Sequence, residues 1–578
     1  MGRGAWADRF RLATLVARAE TRLLLALVSP ARLFGGGLGA DRVLIAPQDL
    51  RTADPTVADD FYAGIFVFSG QIVECNGRSP FDMPAPSVEW SRVLHSLGWL
   101  RHLRAAGTPL ARSNAQALVS DWFLRRGRLP PEAQEPEVIA RRLLALLSQS
   151  AFLLEGVTAE FYRRYVLEIL RHARQLHRLR PLVPDGLPRL RISIALLTAT
   201  IAMSREGGPI RAALERLACE LDRQILPDGG HISRNPAALI EILVDLLPAR
   251  QALTQRGAAF EPRILAAIDR MMPMLRFFRH ADGSFAAFNG MGATAADLIS
   301  TIAAFDDVRG QPVANAVHSG YQRLEVKGAI AIVDAGKVPP YWASRDAHAG
   351  AGAFEFSAGG QVIVVNCGSP LPSRREWKRV VRTSAAHSTA ILADASSCRF
   401  VKPGRFDRLL GPIILSGPRH VEARRLEVEG AVAVTVSHDG YAHRFGYVHG
   451  RDLTLAQDGS RLDGLDRFIA GRRPDAVGFA IRFHLHPSIR AALVREHAAV
   501  MLVGTDSESW EFVAEGCDIE LEESVHLADA RGVRRTTQIV LSGNLPETRE
   551  VRWAFIRVAH ARRQRPRGGD AEPVLPLE

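Results

Sequence analysis

The stretch "YQRLEVKGAIAIVDAG", residues 321–336, marks the point where the apolar pattern of this 578-residue sequence changes. Its apolar residues alternate with polar ones or form short β-branched runs, which is typical of β-strands. Further stretches of this kind follow, among them "GAFEFSAGGQVIVVN" at 352–366 and "RTTQIVLSG" at 535–543. Their number and spacing predict a large antiparallel β-sandwich.

The sequence before this stretch has the helical period instead. "EVIARRLLALLSQSAFLL" (137–154), "AEFYRRYVLEILRHARQLHRL" (159–179) and "PAALIEILVDLLPARQAL" (236–253) carry apolar residues at i, i+3 and i+4. Successive helices of ordinary length predict a solenoid or a toroid of helix pairs. The predicted division is an N-terminal extension, a helical domain, a β-sandwich domain and a flexible tail, at 1–88, 89–320, 321–562 and 563–578.

The composition is that of a globular protein, with 47% apolar and 23% charged residues. The formal net charge of +11 comes with an excess of arginine. Either these arginines lie on solvated helix faces, or they attract an anionic polymer. No zinc-finger spacing, RNA-recognition signature or P-loop supports a nucleic-acid partner. The five cysteines contain no C-x-x-C pair, so neither a disulfide framework nor a thiolate zinc site is predicted.

Residues 8–28 form a predicted amphipathic helix that is rich in arginine. Arg22 directly precedes "LLLALV", so the segment makes a poor secretory signal. The helix is expected either to pack on the body of the protein or to make a peripheral contact with a membrane or a partner. No apolar run approaches the length of about twenty residues that a membrane span needs, so no transmembrane segment is predicted.

Several loops carry polar residues that are candidates for a site. The loop "LPDGGHISRNPAALIEIL" (226–243) contains His231, Arg234 and Asn235, although helix capping also explains its composition. The remaining candidates lie in four further stretches and are Asn289, His348, Asn366, Arg382, His387 and Tyr441. A single histidine usually only packs, but two histidines and an amide near neighbouring strand ends suggest a metal or oxyanion site. Strand alternation across "SHDGYAHRFGYVHGR" (437–451) predicts that Tyr441, His443 and Tyr447 share one face.

Three of these stretches together resemble the heparinase II/III family of polysaccharide lyases. "LPDGGHISRNP" resembles the family's D-G-S-H-x-x-R-S-P-x-Y-H loop, and "HAGAGAFEFSAGGQVIVVNCG" resembles its H-x-H-A-D-x-x-S-F-E…D-x-G stretch. "RTSAAHSTAIL" resembles R-x-x-x-x-H-N-T. The resemblance implies an α+β multidomain fold, with an N-terminal α/α toroid, an incomplete barrel of helix pairs, followed by a C-terminal antiparallel β-sandwich. The active site is then expected between these two parts.

The resemblance implies β-elimination on a uronate-containing acidic polysaccharide. The candidates for catalysis are His348 and His231, with Tyr441 as a replacement base. The candidates for substrate binding are Arg234, Asn235, Asn289 and Arg382. A zinc ion bound by His348, Asn366 and His387 is expected to be weak or absent, and no cofactor is required. The family's base tyrosine falls on Ala238, the following histidine on Leu239, and the aspartate of D-x-G on Asn366.

These departures leave two functions open. One is a lyase that uses a replacement base such as Tyr441 or Tyr447. The other is a non-catalytic protein that binds or assembles envelope polysaccharide and keeps the lyase fold. The family resemblance favours the cell envelope or periplasm, whereas the missing signal peptide favours the cytoplasm.

Overall fold

The structure is a computed structural model. It describes residues 3–27, 40–306, 310, 312–372, 374, 376–428, 430–494, 499–505 and 508–558. The predicted tail, 563–578, lies outside these residues. No helix in the part of the chain that the structure describes is long and apolar enough to cross a membrane.

The N-terminal part of the chain is helical, and we number its helices in chain order. They are α1 (Arg3–Leu27), α2 (Val57–Tyr62), α3 (Val88–Ser96), α4 (Leu100–Ala106), α5 (Pro109–Leu124), α6 (Pro136–Ser148), α7 (Ser150–Leu153), α8 (Ala159–Leu179), α9 (Leu187–Met203), α10 (Gly207–Gln224), α11 (Pro236–Gln255), α12 (Pro262–Phe277) and α13 (Ala296–Ala303). Side-chain caps start several of them: Thr158 Oγ1 accepts a hydrogen bond from Phe161 N, and Asn235 Oδ1 accepts one from Ala237 N. These capping side chains fix the first residues of α8 and α11.

The strands follow, together with short helices α14 (Trp377–Val380), α15 (Arg405–Leu410) and α16 (Ala442–Phe445). A hairpin, β1 (Ile65–Phe68) and β2 (Gln71–Glu74), precedes the main helical part. The other strands are β3 (Asn315–Ala316), β4 (Tyr321–Val326), β5 (Ala329–Asp334), β6 (Phe354–Ala358), β7 (Gln361–Val365), β8 (Ala390–Leu392), β9 (Arg399–Phe400), β10 (Ile414–Ser416), β11 (Val421–Val428), β12 (Ala431–His438), β13 (Tyr447–Ala456), β14 (Arg461–Ala470), β15 (Val477–Leu485), β16 (Arg490–Val494), β17 (Ala499–Val503), β18 (Ser509–Glu515), β19 (Asp518–His526), β20 (Arg534–Leu545) and β21 (Glu550–Val558).

Two large antiparallel sheets form the β part. The first has the order β11-β12-β13-β14-β21-β18-β17-β16, and the second β19-β20-β15-β7-β6-β5-β4-β3, with β8 beside β15. Side chains of both sheets share one buried core, in which Phe354, Phe483 and Trp553 pack against each other. This arrangement is the predicted sandwich, and it follows the helical part as expected.

The second sheet also packs against the helical part. Tyr321, Ile330 and Ile332 belong to the same apolar core as residues of α9 to α13. The outer side of this sheet is therefore buried by helices, which places the loops at its strand ends beside the helical part. The hairpin β1–β2 shares a core with helices α3 to α9, so residues 57–75 do not pack as a separate unit.

Helix α1 lies on the body of the protein. Leu12, Leu15 and Val16 pack against an apolar cluster that includes Leu410 and Ile413. Ion pairs connect α1 to both parts of the chain: Arg22 Nη1 lies 3.0 Å from Asp185 Oδ2, and Arg399 Nη1 lies 2.9 Å from Asp8 Oδ2. Its other side exposes five large apolar side chains, Phe10, Leu23, Leu24, Leu25 and Leu27. The first of the two predicted placements is thus seen, while the membrane contact stays a prediction.

The stretch 437–451 differs from its prediction. Residues Ala442–Phe445 form α16 between β12 and β13, so the period of two is interrupted there. The predicted shared face of Tyr441, His443 and Tyr447 is therefore wrong: the two tyrosines are buried, whereas His443 is exposed. Gly446, with φ of +80°, ends the short helix in the left-handed region, where a glycine is favoured.

Candidate functional site

A cleft of about 910 Å³ lies between the helical part and the β-sandwich. One wall comes from α6, α9 and the start of α11, and the other from loops that precede β6 and β8. His231 and Asn235 lie in the first wall, and His348 and Arg382 in the second. The structure thus brings four of the predicted site residues together at one cleft.

His231 has both ring nitrogens committed to neighbours. Its Nδ1 accepts a hydrogen bond from Ser233 N at 3.1 Å and lies 2.7 Å from Ser233 Oγ. Its Nε2 therefore carries the proton and donates to Gln224 Oε1 at 3.1 Å. Burial, assisted by the charge of Arg191, lowers the pKa of His231 to about 3. The predicted catalytic role of His231 is not supported by this geometry, because neither nitrogen is available to a substrate.

Arg234 turns away from the cleft, which corrects its predicted role in substrate binding. Its guanidinium pairs with Asp334 at 2.5 Å and donates to the carbonyl oxygens of Ser319, Gly320, Gly336 and Lys337. Tyr321 packs against its other face, with the ring centroid 4.7 Å from the guanidinium carbon. Arg234 therefore ties the loop before α11 to strands β4 and β5. The expectation that it lines the cleft with His231 and His348 is wrong for this residue.

A change at Arg234 should act on stability. In an Arg234→Lys variant the ammonium retains the charge, but it cannot reach all of the carbonyl oxygens that the guanidinium satisfies. We expect the free energy of unfolding to fall by about 1–3 kcal/mol, measured by urea denaturation, with glycan affinity unchanged. Arg211→Lys, at an exposed position of α10, is the control and should be nearly neutral. Weaker glycan binding at unchanged stability would contradict this assignment.

His348 and His387 form a hydrogen-bonded pair at the opposite wall. His387 Nδ1 donates to Thr383 O at 2.8 Å, so its Nε2 is an acceptor for His348 Nδ1 at 3.0 Å. This tautomer leaves His348 Nε2 as the unprotonated nitrogen. Burial, followed by the nearby His387 and Arg382, lowers the pKa of His348 well below its ordinary value. His348 is therefore a neutral hydrogen-bond acceptor and a weak base.

Asn289 and Asn366 have structural partners. Asn289 Nδ2 donates to Tyr321 Oη at 2.6 Å and to Asp334 Oδ2 at 3.2 Å, and its Oδ1 accepts from His348 N at 3.0 Å. Its predicted contact with substrate is corrected to a contact that positions the backbone of His348. Asn366 Nδ2 donates to Glu355 at 3.0 Å, and its Oδ1 accepts from Ser388 N at 3.0 Å.

These contacts also decide whether a metal ion fits. Of the three predicted zinc ligands, the two imidazoles bond to each other and the amide oxygen of Asn366 accepts a backbone N–H. Within the described ranges, no group of three or more histidine, cysteine, aspartate or glutamate side chains is placed to hold a metal ion. Because zinc requires three or four nitrogen, sulfur or charged oxygen donors, the residues present do not fit it.

Arg382 and Tyr441 are also held by the protein itself. Arg382 donates to the carbonyl oxygens of Ala347 at 2.8 Å and Ser344 at 2.9 Å, so it shapes the loop next to His348. Tyr441 lies in the core of the sandwich, and its hydroxyl donates to Ala390 O at 2.8 Å. Tyr447 is buried in the same core. Neither tyrosine reaches the cleft, so the predicted catalytic role of Tyr441 is wrong.

The cleft contains side chains that sequence reasoning missed. Trp342, Arg345 and Asp346 enter from the loop before β6, and Lys378 enters from α14. Trp342 is half-buried, with Arg223 over its ring at 5.7 Å. The "PPYW" sequence at 339–342 could have identified Trp342 as a candidate. Two prolines restrict the backbone, so the aromatic pair that follows them lies on a rigid loop.

The charges in the cleft are balanced. Among the described residues that line it, six cations face six carboxylates: Arg92, Arg191, Arg345, Lys378, Arg379 and Arg382 against Glu89, Glu137, Asp185, Glu241, Asp346 and Asp407. Several of them pair directly; Arg191, for example, lies 3.2 Å from both Glu137 and Glu241. The positive charge of the whole chain is therefore not concentrated in this cleft.

Comparison with known proteins agrees with this architecture. Residues 308–554 match the family described as heparinase II/III-like, C-terminal. Over 577 residues the chain is 31% identical to FtsZ-localized protein C of Caulobacter vibrioides (strain NA1000 / CB15N), covering 92% of this chain and 98% of that protein. The chain belongs to the heparinase II/III-like family.

Solved structures of lyases share its fold. A heparinase III structure superposes with a TM-score of 0.66 at 12% identity, covering 93% of this chain and 89% of that one. A heparan sulfate lyase mutant from Pedobacter heparinus superposes with a TM-score of 0.60 at 14% identity, covering 95% and 88%. At these identities the likeness shows the heparinase II/III fold, a helical part followed by antiparallel sheets, and nothing further about the chemistry.

Proposed function

We propose that this protein binds a weakly charged acidic glycan in the cleft and does not cleave it by β-elimination. One observation carries the proposal: the cleft of the lyase fold is present, but Ala238 lines it where the family motif carries its base tyrosine. No tyrosine is among the described residues that line the cleft. The methyl side chain of alanine cannot transfer a proton. This wall of the cleft therefore has no base at the position where the family motif has a tyrosine.

The other groups in the cleft do not replace that base. Elimination requires a base with a pKa near the operating pH to remove the C5 proton next to the uronate carboxylate. His231 has no available nitrogen, and the pKa of His348 is far below its ordinary value. Hydrogen-bond acceptance by His348 Nε2 suits a sugar hydroxyl, while Arg345 and Lys378 suit a carboxylate.

Charge balance in the cleft defines the kind of glycan. A densely sulfated polymer would meet carboxylates of Glu137, Glu241 and Asp346 along the same walls, and these repel it. A polymer with isolated carboxylates between neutral sugars meets both signs without such repulsion. Trp342 adds a flat apolar surface for a sugar ring.

Binding measurements with a matched tryptophan pair test this proposal. Trp342→Ala should weaken binding of low-charge uronate glycans on the order of tenfold, since buried aromatic contacts commonly dominate binding. Trp377→Ala is the control, because Trp377 is half-buried on α14 but does not line the cleft. Calorimetry with a panel of uronate and cell-wall glycans, including heparan sulfate, supplies the comparison. Preference for heparan sulfate, or equal losses in both variants, would contradict the proposal.

A lyase is the second candidate, and the unprotonated Nε2 of His348 is the observation that favours it. The test is the ultraviolet absorbance of the unsaturated product during incubation with the same glycan panel. We expect no product. If product forms, His348→Ala should lower the rate on the order of a hundred- to ten-thousand-fold. Product that forms equally well in His348→Ala would contradict His348 as the base.

Similarity to FtsZ-localized protein C over 92% of this chain supports a role at the division site. We propose FtsZ as a partner of this protein. Purified FtsZ filaments should carry the protein into the pellet on sedimentation, and a fluorescent fusion should co-localise with FtsZ in cells. A protein that stays in the supernatant and is evenly distributed in cells contradicts this part of the proposal.

A further inference from the structure

A second cavity lies next to the cleft, between α1, α15 and the paired strands β9 and β10. We call it the basic cavity; its volume is about 950 Å³, which is within the usual size of small-molecule sites. Six cationic side chains line it: Arg9, Arg379, Arg382, Arg399, Lys402 and Arg405. Asp8 is the carboxylate among its described lining residues. Unlike the glycan cleft, this cavity is strongly positive.

Its inner wall is apolar. Leu12 of α1 lines the cavity together with Phe400, Val401, Phe406 and Leu415. Leu12, Phe406 and Leu415 pack around the same apolar cluster that fixes α1 to the body. The ring of Phe400 lies under the Arg382 guanidinium at 4.5 Å, and the ring of Phe406 lies under that of Arg405 at 4.5 Å. Apolar surface and positive charge thus meet along one edge of the cavity.

The six cations that line the basic cavity differ in their partners. Arg399 pairs with Asp8 at 2.9 Å, and Arg379 pairs with Asp407 at 2.5 Å. Arg9, Lys402 and Arg405 are exposed at the rim, and within the described residues they form no ion pair with a carboxylate. Arg382 is buried and bonds to carbonyl oxygens. The net positive charge is therefore concentrated at the mouth, outside the apolar wall.

We propose that the basic cavity binds a single-chain amphiphile with a phosphate head, the head lying among Arg9, Lys402 and Arg405 and the tail against Leu12, Phe406 and Leu415. Three exposed cations match a phosphate monoester, which carries close to two negative charges and three acceptor oxygens. The apolar wall directly behind them matches an alkyl chain, and it would not contribute to the binding of a free phosphate ion. The charged rim and the apolar wall together favour the amphiphile over a free phosphate ion or an uncharged alkyl chain.

The site also has a structural route to the glycan cleft. Arg379 and Arg382 line both cavities. Arg382 donates to Ala347 O, and Ala347 directly precedes His348. A ligand that displaces the Arg382 guanidinium would therefore break a hydrogen bond to the loop that carries His348.

Calorimetry with the full chain and decyl phosphate, below its micelle concentration, tests the proposal. Decyl phosphate should bind at least about tenfold more tightly than decanol or inorganic phosphate, because only it uses both the charged rim and the apolar wall. A Lys402→Gln/Arg405→Gln variant should lose about tenfold or more in affinity. Both positions are exposed, so the variant should fold as the parent does.

Arg408→Gln is the matched control, because Arg408 is exposed on the same helix, α15, but does not line the basic cavity. It should bind decyl phosphate with the affinity of the parent. Equal affinity for decanol and decyl phosphate overturns the proposal, as does an equal loss in Arg408→Gln. Binding to phospholipid vesicles without binding to monomeric decyl phosphate also overturns it, since a surface contact then replaces the cavity.

Discussion

Acidification from pH 6.5 to about pH 4 should unfold this protein. His172, His231 and His484 are buried, and burial, as the largest cause, lowers the pKa of each from 6.5 to about 3. In the unfolded chain these histidines bind protons below about pH 6.5, whereas in the folded protein they stay neutral down to about pH 3. Their stabilising contribution is therefore complete above pH 6.5 and is lost as the pH falls toward 3.

The expected loss is large compared with the stability of a typical domain. Each histidine costs about 1.4 kcal/mol per pH unit in this window, so three cost about 4 kcal/mol per unit. Over two units the total is about 8 kcal/mol, which lies within the usual range of about 5–15 kcal/mol for the whole free energy of unfolding. Thermal unfolding followed by circular dichroism between pH 8 and pH 4 measures it.

Single substitutions test which histidines are responsible. His231→Gln should flatten the pH dependence by about one proton, because the variant has no imidazole to titrate at this position. His443→Gln, at an exposed position, should leave the slope unchanged. Equal slopes in the parent and in His231→Gln would mean that His231 is not the buried neutral group described above.

Asp466→Asn should destabilise the protein by about 3–5 kcal/mol, the cost of leaving a buried cation unpaired. Asp466 is fully buried and accepts hydrogen bonds from Arg451 Nε at 2.8 Å, His449 Nε2 at 2.7 Å and Trp553 Nε1 at 2.7 Å. Burial alone would raise the pKa of Asp466, but Arg451 and His449 hold it well below the ordinary value. In the variant, Arg451 remains buried without its counter-charge.

The free energy of unfolding in urea at pH 7 measures this effect. Asp463→Asn is the control on the same strand. The Asp463 side chain is 42% exposed and pairs with the exposed Arg461, and ion pairs of this kind contribute about 0–1 kcal/mol. A loss below about 1 kcal/mol at pH 7 would show that Arg451 finds another partner.

The same residues connect the sandwich core to the cleft between the helical part and the sandwich. Arg451 Nη1 donates to Gly352 O at 3.0 Å and to Ser388 O at 2.7 Å. Gly352 and Ser388 lie in the loops that carry His348 and His387. The Asp466–Arg451 pair therefore positions one wall of the cleft from within the sandwich.

Much of the fold was predictable from the sequence. The helix predicted at 159–179 is observed as Ala159–Leu179, and the strands predicted within 321–336 are observed as Tyr321–Val326 and Ala329–Asp334. The stretch 437–451 was mispredicted as continuous strand, because the tight turn into Ala442–Phe445 depends on packing of Tyr441 and Phe445 into the core. The loops predicted to carry site residues line the cleft, but the side chains of Arg234 and Asn289 point away from it.

The sequence by itself determined the order of helices and strands, because periodicity, caps and turns are local properties of a few residues. Only the tertiary structure decided which polar groups remain available in the cleft. Arg234 pairs with Asp334, 100 residues along the chain, and His231 donates a hydrogen bond to Gln224 on the preceding helix. These groups are therefore not available to a ligand. A buried charge or imidazole must take its partner from whatever the fold brings near it, and no local pattern records that partner.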